Sequence, residues 1–501
     1  MDFIFCPDFS REVGIGHLIR CLNLAIELKK KGAKIIFIVD ENNISNFPIK
    51  LKTHFKLVTY KSLSDSKNKN NLEKISKKIK KIKSSLNAIL IIDNYKIDLN
   101  WEQKIKKYVK KIFVIDDFLK PHYCDFYLNQ GNILKKNNLS KNLNNNYKLL
   151  GPKFSLLNKK NQIRKINFDK DFNKNILVSF GGSDRENLTF NIIKILKNNF
   201  FNNYKINVFL GPYNKQKKSI SEILKYNKNF NIYNFSSNYV DFIKKSSLAI
   251  INGGVSVWEN ICHGVPSLVF QISKNQKIQT DYLKRIKVIA MIDLNKKKLF
   301  PKHEILKKII KLTKNNSIQK KNILKGQSLV DGYGALRVAE ILYPSNSKFL
   351  RIHKANINDC LIYYNWFNDP INIKNSIIKK KTDISKHIIW FKKKISNKLS
   401  DLLILKIGNL PIGQIRFEKK VKYILIDYYL DEIVRKRGWG KKLLYLGLKK
   451  MNFNNNILLR GQVRKNNHPS IKVFLKLGFK LVKKDNNFIF FEIESNKINY
   501  N

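Results

Sequence analysis

Short apolar runs that each stop on a glycine, an asparagine or an aspartate recur through the first half of the chain. They constrain the fold more than any other feature. Phe3-Ile4-Phe5-Cys6 leads to Gly14-Ile15-Gly16-His17, and Ile35-Ile36-Phe37-Ile38-Val39 stops at Asp40. Ile89-Leu90-Ile91-Ile92 stops at Asp93-Asn94-Tyr95, and Ile112-Phe113-Val114-Ile115 at Asp116-Asp117. After Gly151-Pro152-Lys153-Phe154 the pattern starts again. Ile176-Leu177-Val178-Ser179-Phe180 runs into Gly181-Gly182-Ser183-Asp184, and Ile206-Asn207-Val208-Phe209-Leu210 into Gly211-Pro212. Ala249-Ile250-Ile251 runs into Asn252-Gly253-Gly254-Val255-Ser256, and Pro266-Ser267-Leu268-Val269-Phe270 precedes Lys274-Asn275-Gln276. Strands apolar on both faces and separated by helical segments belong to parallel sheets covered on both sides. Such sheets bind ligands beyond the carboxyl ends of their strands. The polar residues at the stops therefore share an edge. As single residues, the aspartates there also fit helix caps.

The first turn is chemically the richest. Leu18, Cys21, Leu22, Ala25 and Leu28 recur at helical spacing behind it, so Gly14 to Arg20 joins a strand to a helix. A helix N-terminus offers free N–H groups and partial positive charge, and two glycines let an anion approach closely. His17 has the side chain suited to proton transfer near neutral pH. Taken alone, the loop fits a tight turn with a locally packed histidine equally well.

The 501 residues suffice for about three domains. The formal net charge of +60 points first to nucleic acid. Yet lysine is spread over all regions together with Asn and Ile, and runs such as 77–81 fit solvated helix faces. No zinc-finger spacing or RNA-recognition signature occurs, so no nucleic-acid partner is expected. A basic surface does attract anionic substrates. Cys6, Cys21, Cys124, Cys262 and Cys360 lack metal-ligand spacing and read as reduced thiols, and no metal is predicted. No apolar run approaches the roughly 18 residues of a membrane span. The sequence enters a strand without a leader, so a cytoplasmic protein with no membrane insertion is expected.

Two Rossmann-like units are expected, at 1–150 and 151–342, with Asn158 to Lys174 connecting them. The turn Gly253-Gly254-Val255-Ser256 suits a diphosphate, and Glu259 one helical turn later suits ribose hydroxyls. Together, Gly14-x-Gly16-His17-x-x-Arg20 and Gly253-Gly254-x-Ser256-x-x-Glu259 followed by Asn275-Gln276 resemble nucleotide-sugar enzymes of the GT-B architecture. Within these, residues 1–340 resemble the UDP-2,4-diacetamido-2,4,6-trideoxy-β-L-altropyranose hydrolases of pseudaminic acid biosynthesis. The phrases that carry the likeness include Asp8-x-Ser10, Gly14-Ile15-Gly16-His17-x-x-Arg20-Cys21-Leu22, Ile92-Asp93-x-Tyr95, Ile115-Asp116-Asp117 and Ser179 to Asp184. One departure stands out: Cys6 occupies the place of the family's arginine. The resemblance implies inverting attack of water at C1, releasing UDP. His17 is then the general base, and Asp8 or Asp93 orients it or binds sugar hydroxyls. Gly14, Gly16, Arg20, Tyr95, Gly182, Ser183, Gly253, Gly254, Ser256, Glu259, Asn275 and Gln276 would hold the UDP-sugar.

Residues 343–348, with Pro344 and small polar residues, read as a linker to a third domain at 349–498. There, Arg435-Lys436-Arg437-Gly438-Trp439-Gly440-Lys441 lies between a strand and a helix and suits a pyrophosphate. Asn467-x-x-Ser470-x-x-x-Phe474-x-x-x-Gly478-Phe479 follows. The pair resembles the GNAT N-acetyltransferases, and Trp366-Phe367-Asn368-Asp369 with His387 to Phe391 resembles the acetyltransferase of the same pathway. Acetyl-CoA is then the co-substrate, held by Arg435, Arg437, Gly438, Gly440, Lys441, Asn467 and Ser470. Many members place a tyrosine acid where Phe474 stands, so Tyr428, Tyr429 or water must protonate the thiolate. Glu418 is a candidate base. His387 and Trp366 fit either sugar contacts or core packing, and His468 flanks the Asn467 motif.

The fold expected is α/β: two Rossmann-like domains in GT-B arrangement, then a GNAT α+β domain. The function expected is bifunctional. The third domain acetylates the 4-amino group of a UDP-amino sugar, and the first two hydrolyse the diacetamido product. A GT-B glycosyltransferase fused to a GNAT module is the alternative, and a basic nucleic-acid scaffold a remoter one.

Overall fold

A computed structural model of the chain describes residues 1–9, 14–47, 53–62, 68–131, 147–162, 174–182, 184, 186–234, 238–294, 299–314, 317–377, 379–453 and 457–498. The chain forms two compact units, Met1–Ala339 and Glu340–Asn501. The division falls within the helix Gly334–Leu342.

The first unit contains two parallel sheets. The first consists of β1 (Asp2–Pro7), β2 (Lys34–Asp40), β3 (Lys56–Tyr60), β4 (Ala88–Asp93), β5 (Lys111–Ile115), β6 (Phe126–Asn129) and β7 (Tyr147–Leu150). Its order is β3-β2-β1-β4-β5-β6-β7. The second consists of β8 (Asn175–Ser179), β9 (Lys205–Leu210), β10 (Phe230–Asn234), β11 (Leu248–Asn252), β12 (Ser267–Gln271) and β13 (Ala290–Asp293), in the order β10-β9-β8-β11-β12-β13. The apolar runs are the cause. On β11, Ile250 packs with Ile176, Val208 and Phe270 on one face, while Ala249 and Ile251 pack with Trp258, Ile261 and Leu283 on the other. Alternate residues thus both find helices, which a strand with one wet face would not allow. Each buried Ile or Phe stabilises by roughly 1.5–3 kcal/mol.

In each sheet the strand order reverses beside the first strand, between β1 and β4 and between β8 and β11. At such a switch point the connecting loops part and leave a crevice. The Gly14–Gly16 turn and Asp93 lie at the first, and Gly181-Gly182 and Gly253-Gly254 at the second. The last helix, Gly334–Leu342, is anchored on the segment between the sheets: Arg337 pairs with Asp331 and donates to Lys153 O at 2.8 Å.

The second unit is a mainly antiparallel sheet. Its strands are β14 (Leu350–Lys354), β15 (Ser400–Ile407), β16 (Leu410–Lys419), β17 (Ile424–Leu430), β18 (Leu458–Arg464), β19 (Lys480–Lys484) and β20 (Phe488–Glu494), in the order β14-β15-β16-β17-β18-β20-β19. One pair is parallel. β17 and β18 are joined only where Ile424, Leu425 and Ile426 meet Leu459, Arg460 and Gly461. Beyond Ile426, β17 continues against β16 alone. The helix Trp439–Met451 follows the Arg435–Gly438 loop, and the helix His468–Lys476 follows β18. Gly438 caps the former with φ +73°, a left-handed conformation that glycine adopts without cost to a side chain.

Candidate active sites

At the β1/β4 crevice a charged network assembles from the helix after β1 and from the ends of β4 and β5. His17, on the first turn of the helix Gly16–Lys30, donates from Nδ1 to Asp93 Oδ1 at 2.6 Å. Arg20, one turn on, donates from Nε to Asp93 Oδ2 and from Nη2 to Asp93 Oδ1, each at 2.6 Å. Its Nη1 reaches Asp117 Oδ2 at 2.8 Å. Tyr95 donates its hydroxyl to the same Asp117 oxygen and is also hydrogen-bonded to Asn275, from the loop after β12. The edge of the Tyr95 ring meets His17 at 4.6 Å.

The arrangement sets protonation states. Burial alone would keep Asp93 protonated; Arg20, and then His17, outweigh it and hold the carboxyl below the usual carboxylate range. An ionised Asp93 accepts the Nδ1 proton, so Nε2 is the His17 ring nitrogen left to face a ligand or water. Tyr95 is pushed the other way, first by burial and then by Asp117, and remains a phenol. Arg20, 2% exposed, is therefore committed to two carboxylates of the protein. Of the two aspartates considered as orienters, Asp93 is the one bonded to His17. Asp8 donates its backbone N–H to Asp93 O at 2.9 Å, and its carboxylate lies 3.9 Å from Lys96 Nζ. At the departure position, Cys6 is a buried thiol, pushed up to about 12 by burial and then by Asp8.

Across the crevice, Gly182 faces the first loop. A Cβ on it would lie 3.9 Å from Gly14 Cα and Ile15 N. Gly211, noted in the sequence only as a strand end, belongs to the same construction: a Cβ there would lie 2.1 Å from Gly181 O. Asp184 caps the helix Leu188–Leu196, accepting from Leu188 N at 2.9 Å and Thr189 N at 3.0 Å. Gly253 has its N–H on Phe270 O at 3.0 Å, and a Cβ on it would press on Gln276 and Thr280 at 2.9 Å. Gly254 is roomier, its nearest neighbour for a Cβ being Asn252 Oδ1 at 3.6 Å. Ser256 begins the helix Ser256–Cys262. Glu259, half-buried on that helix, is pushed up to about 7 by burial, with Asn161 Nδ2 at 3.4 Å. Gln276 turns inward and accepts from Ile272 N at 3.1 Å. Ser10 and Ser183 lie outside the described residues.

Residue patterning missed a second cluster behind the site. His122 donates from Nδ1 to Glu102 Oε1 at 2.7 Å, and its Nε2 lies 3.7 Å from Asp116 Oδ2. Burial opposes the charge, but Asp116 and Glu102 outweigh it and raise His122 to about 9. Asp116 also accepts from Phe118 N, Lys120 N and Tyr127 OH. The clamp thus anchors the loop that carries Asp117 and Phe118, both of which touch Tyr95.

In the second unit the motif residues surround the gap between β17 and β18. Gly440 lets two helices approach, since a Cβ there would lie 3.1 Å from Val473. Lys441 is on the same first turn. Arg437 pairs with Glu340 at 2.6 Å. Arg435 turns to Asp369 at 3.1 Å, Tyr429 OH at 2.7 Å and Leu430 O at 3.0 Å. Asn467 caps the helix His468–Lys476 through Ser470 N at 3.4 Å, and Ser470 Oγ accepts from Tyr428 OH at 3.0 Å. His468 opens that helix. Phe474 is buried and stacks on Phe491 at 5.5 Å.

Two candidates fail on geometry. Glu418 is held by Lys394 at 2.8 Å, Arg416 at 3.1 Å and Lys420 at 3.3 Å. Burial would raise its pKa, but these cations lower it, the wrong direction for a base. His387, 1% exposed, donates to Cys360 O at 3.2 Å among Tyr364, Phe367, Trp390 and Phe391. Burial lowers it to about 4, so it is a neutral core residue rather than a sugar contact. Trp366 is also buried and donates to Asp431 Oδ2 at 2.9 Å. Among the described residues, no group of three or more His, Cys, Asp or Glu could hold a metal ion, and no helix is long and apolar enough to cross a membrane.

Residues 365–479 match the acetyltransferase (GNAT) family. The uncharacterized protein MJ1062 of Methanocaldococcus jannaschii is 28% identical over 520 residues, covering 97% of this chain and 98% of that protein. The UDP-2,4-diacetamido-2,4,6-trideoxy-β-L-altropyranose hydrolase of Campylobacter jejuni is 24% identical over 295 residues, 56% of this chain and 96% of that enzyme. Among solved structures, the glycotransferase of kitacinnamycin superposes with a TM-score of 0.51 at 11% identity, over 68% of this chain and 98% of that one. At that identity the likeness concerns fold alone. The architecture is two Rossmann-like domains in GT-B arrangement followed by a GNAT domain.

Proposed function

We propose that the chain is a bifunctional nucleotide-sugar enzyme. Its first unit hydrolyses a UDP-linked diacetamido sugar to free sugar and UDP. Its second transfers an acetyl group from acetyl-CoA to the amine of the preceding UDP-amino sugar. The observation that carries the first half is the buried His17–Asp93–Arg20 assembly at a sheet switch point. An imidazole whose Nδ1 proton is pinned presents Nε2 to a water, and removes its proton as oxygen bonds to C1 and the C1–O bond to UDP breaks. UDP leaves as an anion, so no strong acid is required. Backbone N–H groups of Gly254 to Ser256 are suited to its diphosphate and Glu259 to the ribose. Direct attack by water inverts C1. The match to the Campylobacter jejuni hydrolase, over nearly the whole of that enzyme, supports this reading. Neither half of the chemistry calls for a metal, and chelation is expected to leave both intact.

For the second unit, β17 is released from β18 after Ile426, which offers an extended ligand a strand edge beside the Gly438–Gly440 turn. Acetyl-CoA fits there, with its diphosphate on that turn, near Lys441 and an Arg437 that exchanges Glu340 for phosphate. The match of residues 365–479 to the GNAT family supports acyl transfer.

The test is UDP release from the diacetamido sugar without any acceptor, in water enriched in heavy oxygen. The label is expected on the sugar and not on UDP. His17→Ala is expected to lower turnover by roughly 10²–10⁴-fold with the fold retained. Label on UDP overturns attack at C1 in favour of attack at the β-phosphorus, and a strict need for an acceptor overturns hydrolysis in favour of glycosyl transfer.

A further inference from the structure

When an amine displaces coenzyme A from a thioester, the departing thiolate needs a proton. Phe474 has none to give, and its position admits none. A Cβ on Gly461 would lie 2.4 Å from Phe474 Cζ, so the ring tip ends against β18 and a hydroxyl there would be driven into the strand.

We propose that Tyr428 is the acid of the acetyl-transfer step, its hydroxyl supplied from β17 rather than from the helix His468–Lys476. The inference rests on the acetyl-transfer reading of the second unit. Three observations converge on this side chain. Its ring meets Phe474 edge-on, 6.0 Å between centroids. Its hydroxyl donates to Ser470 Oγ at 3.0 Å, one helical turn before position 474. Its Cε2 lies 3.9 Å from where a Cβ of Gly440 would be, beside the loop that suits the diphosphate. Tyr428 therefore stands between the two helices that flank the β17–β18 gap, on the part of β17 that β18 has released. Tyr429 is its neighbour on the strand and so points to the other face. The Tyr429 hydroxyl is engaged by Arg435, which is also bound to Asp369.

The step balances without a further reagent. The amine nitrogen bonds to the acetyl carbon and the C–S bond breaks. The sulfur takes the phenol proton, and the proton lost by the amine returns to Tyr428 through the Ser470 hydroxyl and water. Burial, the largest influence, pushes Tyr428 up to about 12, so it stays protonated at neutral pH and delivers its proton in step with C–S cleavage.

The experiment uses the full chain and follows release of free CoA thiol from acetyl-CoA, with the UDP-4-amino sugar and with water as the sole acceptor. Both routes need the same proton. Tyr428→Phe is expected to lower kcat by roughly 10²–10³-fold on each route. Acetyl-CoA affinity by calorimetry is expected to change less than about twofold, since Phe keeps the ring packing. Ser470→Ala is expected to lower kcat less than Tyr428→Phe. Wild-type kcat is expected to show a solvent isotope effect that Tyr428→Phe removes. A Tyr428→Phe enzyme within threefold of wild type overturns the assignment. So does a loss of turnover matched by an equal loss of acetyl-CoA affinity. If the amino sugar fails to accelerate wild type over water, the acceptor reading falls while the water route still decides Tyr428. No thiol release by wild type on either route overturns both.

Discussion

The two proton carriers proposed stand in opposite media. In the first unit, the carrier proposed is an imidazole wired into charge: His17 hangs on Asp93, Asp93 on Arg20, and Arg20 on Asp117. In the second, the carrier proposed is a phenol set among rings, with Phe474 and then Phe491 behind it and one neutral hydroxyl as partner. A general base must aim its lone pair at the water it activates, and an ionised carboxylate that fixes the tautomer and the ring orientation does this. A general acid must hold its proton, and apolar burial does that for a phenol. The lesson extends to the arginines. Arg20, Arg435 and Arg437 each sit in a phrase that the sequence suggests for a ligand, and each is paired with a protein carboxylate. At a crowded sheet edge a guanidinium is strongest where two planar acceptors meet it in a fixed fork.

The contrast can be broken most sharply at Asp93. Asp93→Asn lets the imidazole take its other tautomer, and UDP release is expected to fall by about 10³–10⁴-fold while acetyl transfer is untouched. Removing a buried partner of Arg20 also costs about 3–5 kcal/mol, seen as a lower Tm. Turnover near wild type would dissolve the distinction between wired and apolar carriers. The His122 clamp gives a middle-sized effect with a definite sign. Its pKa is raised in the folded state to about 9 from the ordinary imidazole value of 6.5. The clamp's stabilisation is therefore complete below pH 6.5 and lost as pH rises through 9, on the order of 3 kcal/mol in all. Comparing Tm of wild type and His122→Gln from pH 6 to 10 checks this. A difference that does not shrink with rising pH would refute the charged clamp. The smallest effect is expected at His387. As a neutral core ring it tolerates His387→Phe with acetyl transfer within about threefold, at a stability cost near that of one lost hydrogen bond, about 1 kcal/mol. A large rise in KM for the amino sugar would return His387 to the substrate.

Much of the first site was legible because its polar residues end strands. Period and run length identify the strand, and the parallel arrangement then sends every strand end to one edge, so His17, Asp93 and Tyr95 could be grouped without coordinates. The division of labour among them could not. Nothing in the spacing separates Asp8 from Asp93 as partner of His17, because the choice depends on side-chain reach across adjacent strands. Glu102 and His122 were invisible for a related reason. Their meaning arises only when a helix and a loop 20 residues apart bring opposite charges together in a dry place. In the second unit, Phe474 announced a missing acid, but β17 presents Tyr428 and Tyr429 side by side. Only the packing of one against Ser470 and the other against Arg435 distinguishes them.

The sequence by itself determined the layered α/β architecture, the all-parallel sheets of the first unit and the edge on which its chemistry falls. These follow from local properties: unbroken apolar runs, glycines at turns, and helices between. The tertiary structure alone decided which charges neutralise one another and which groups are left to react. Those outcomes depend on distances of a few ångströms between residues far apart in the chain, and on burial, which raises the stakes of every unpaired charge.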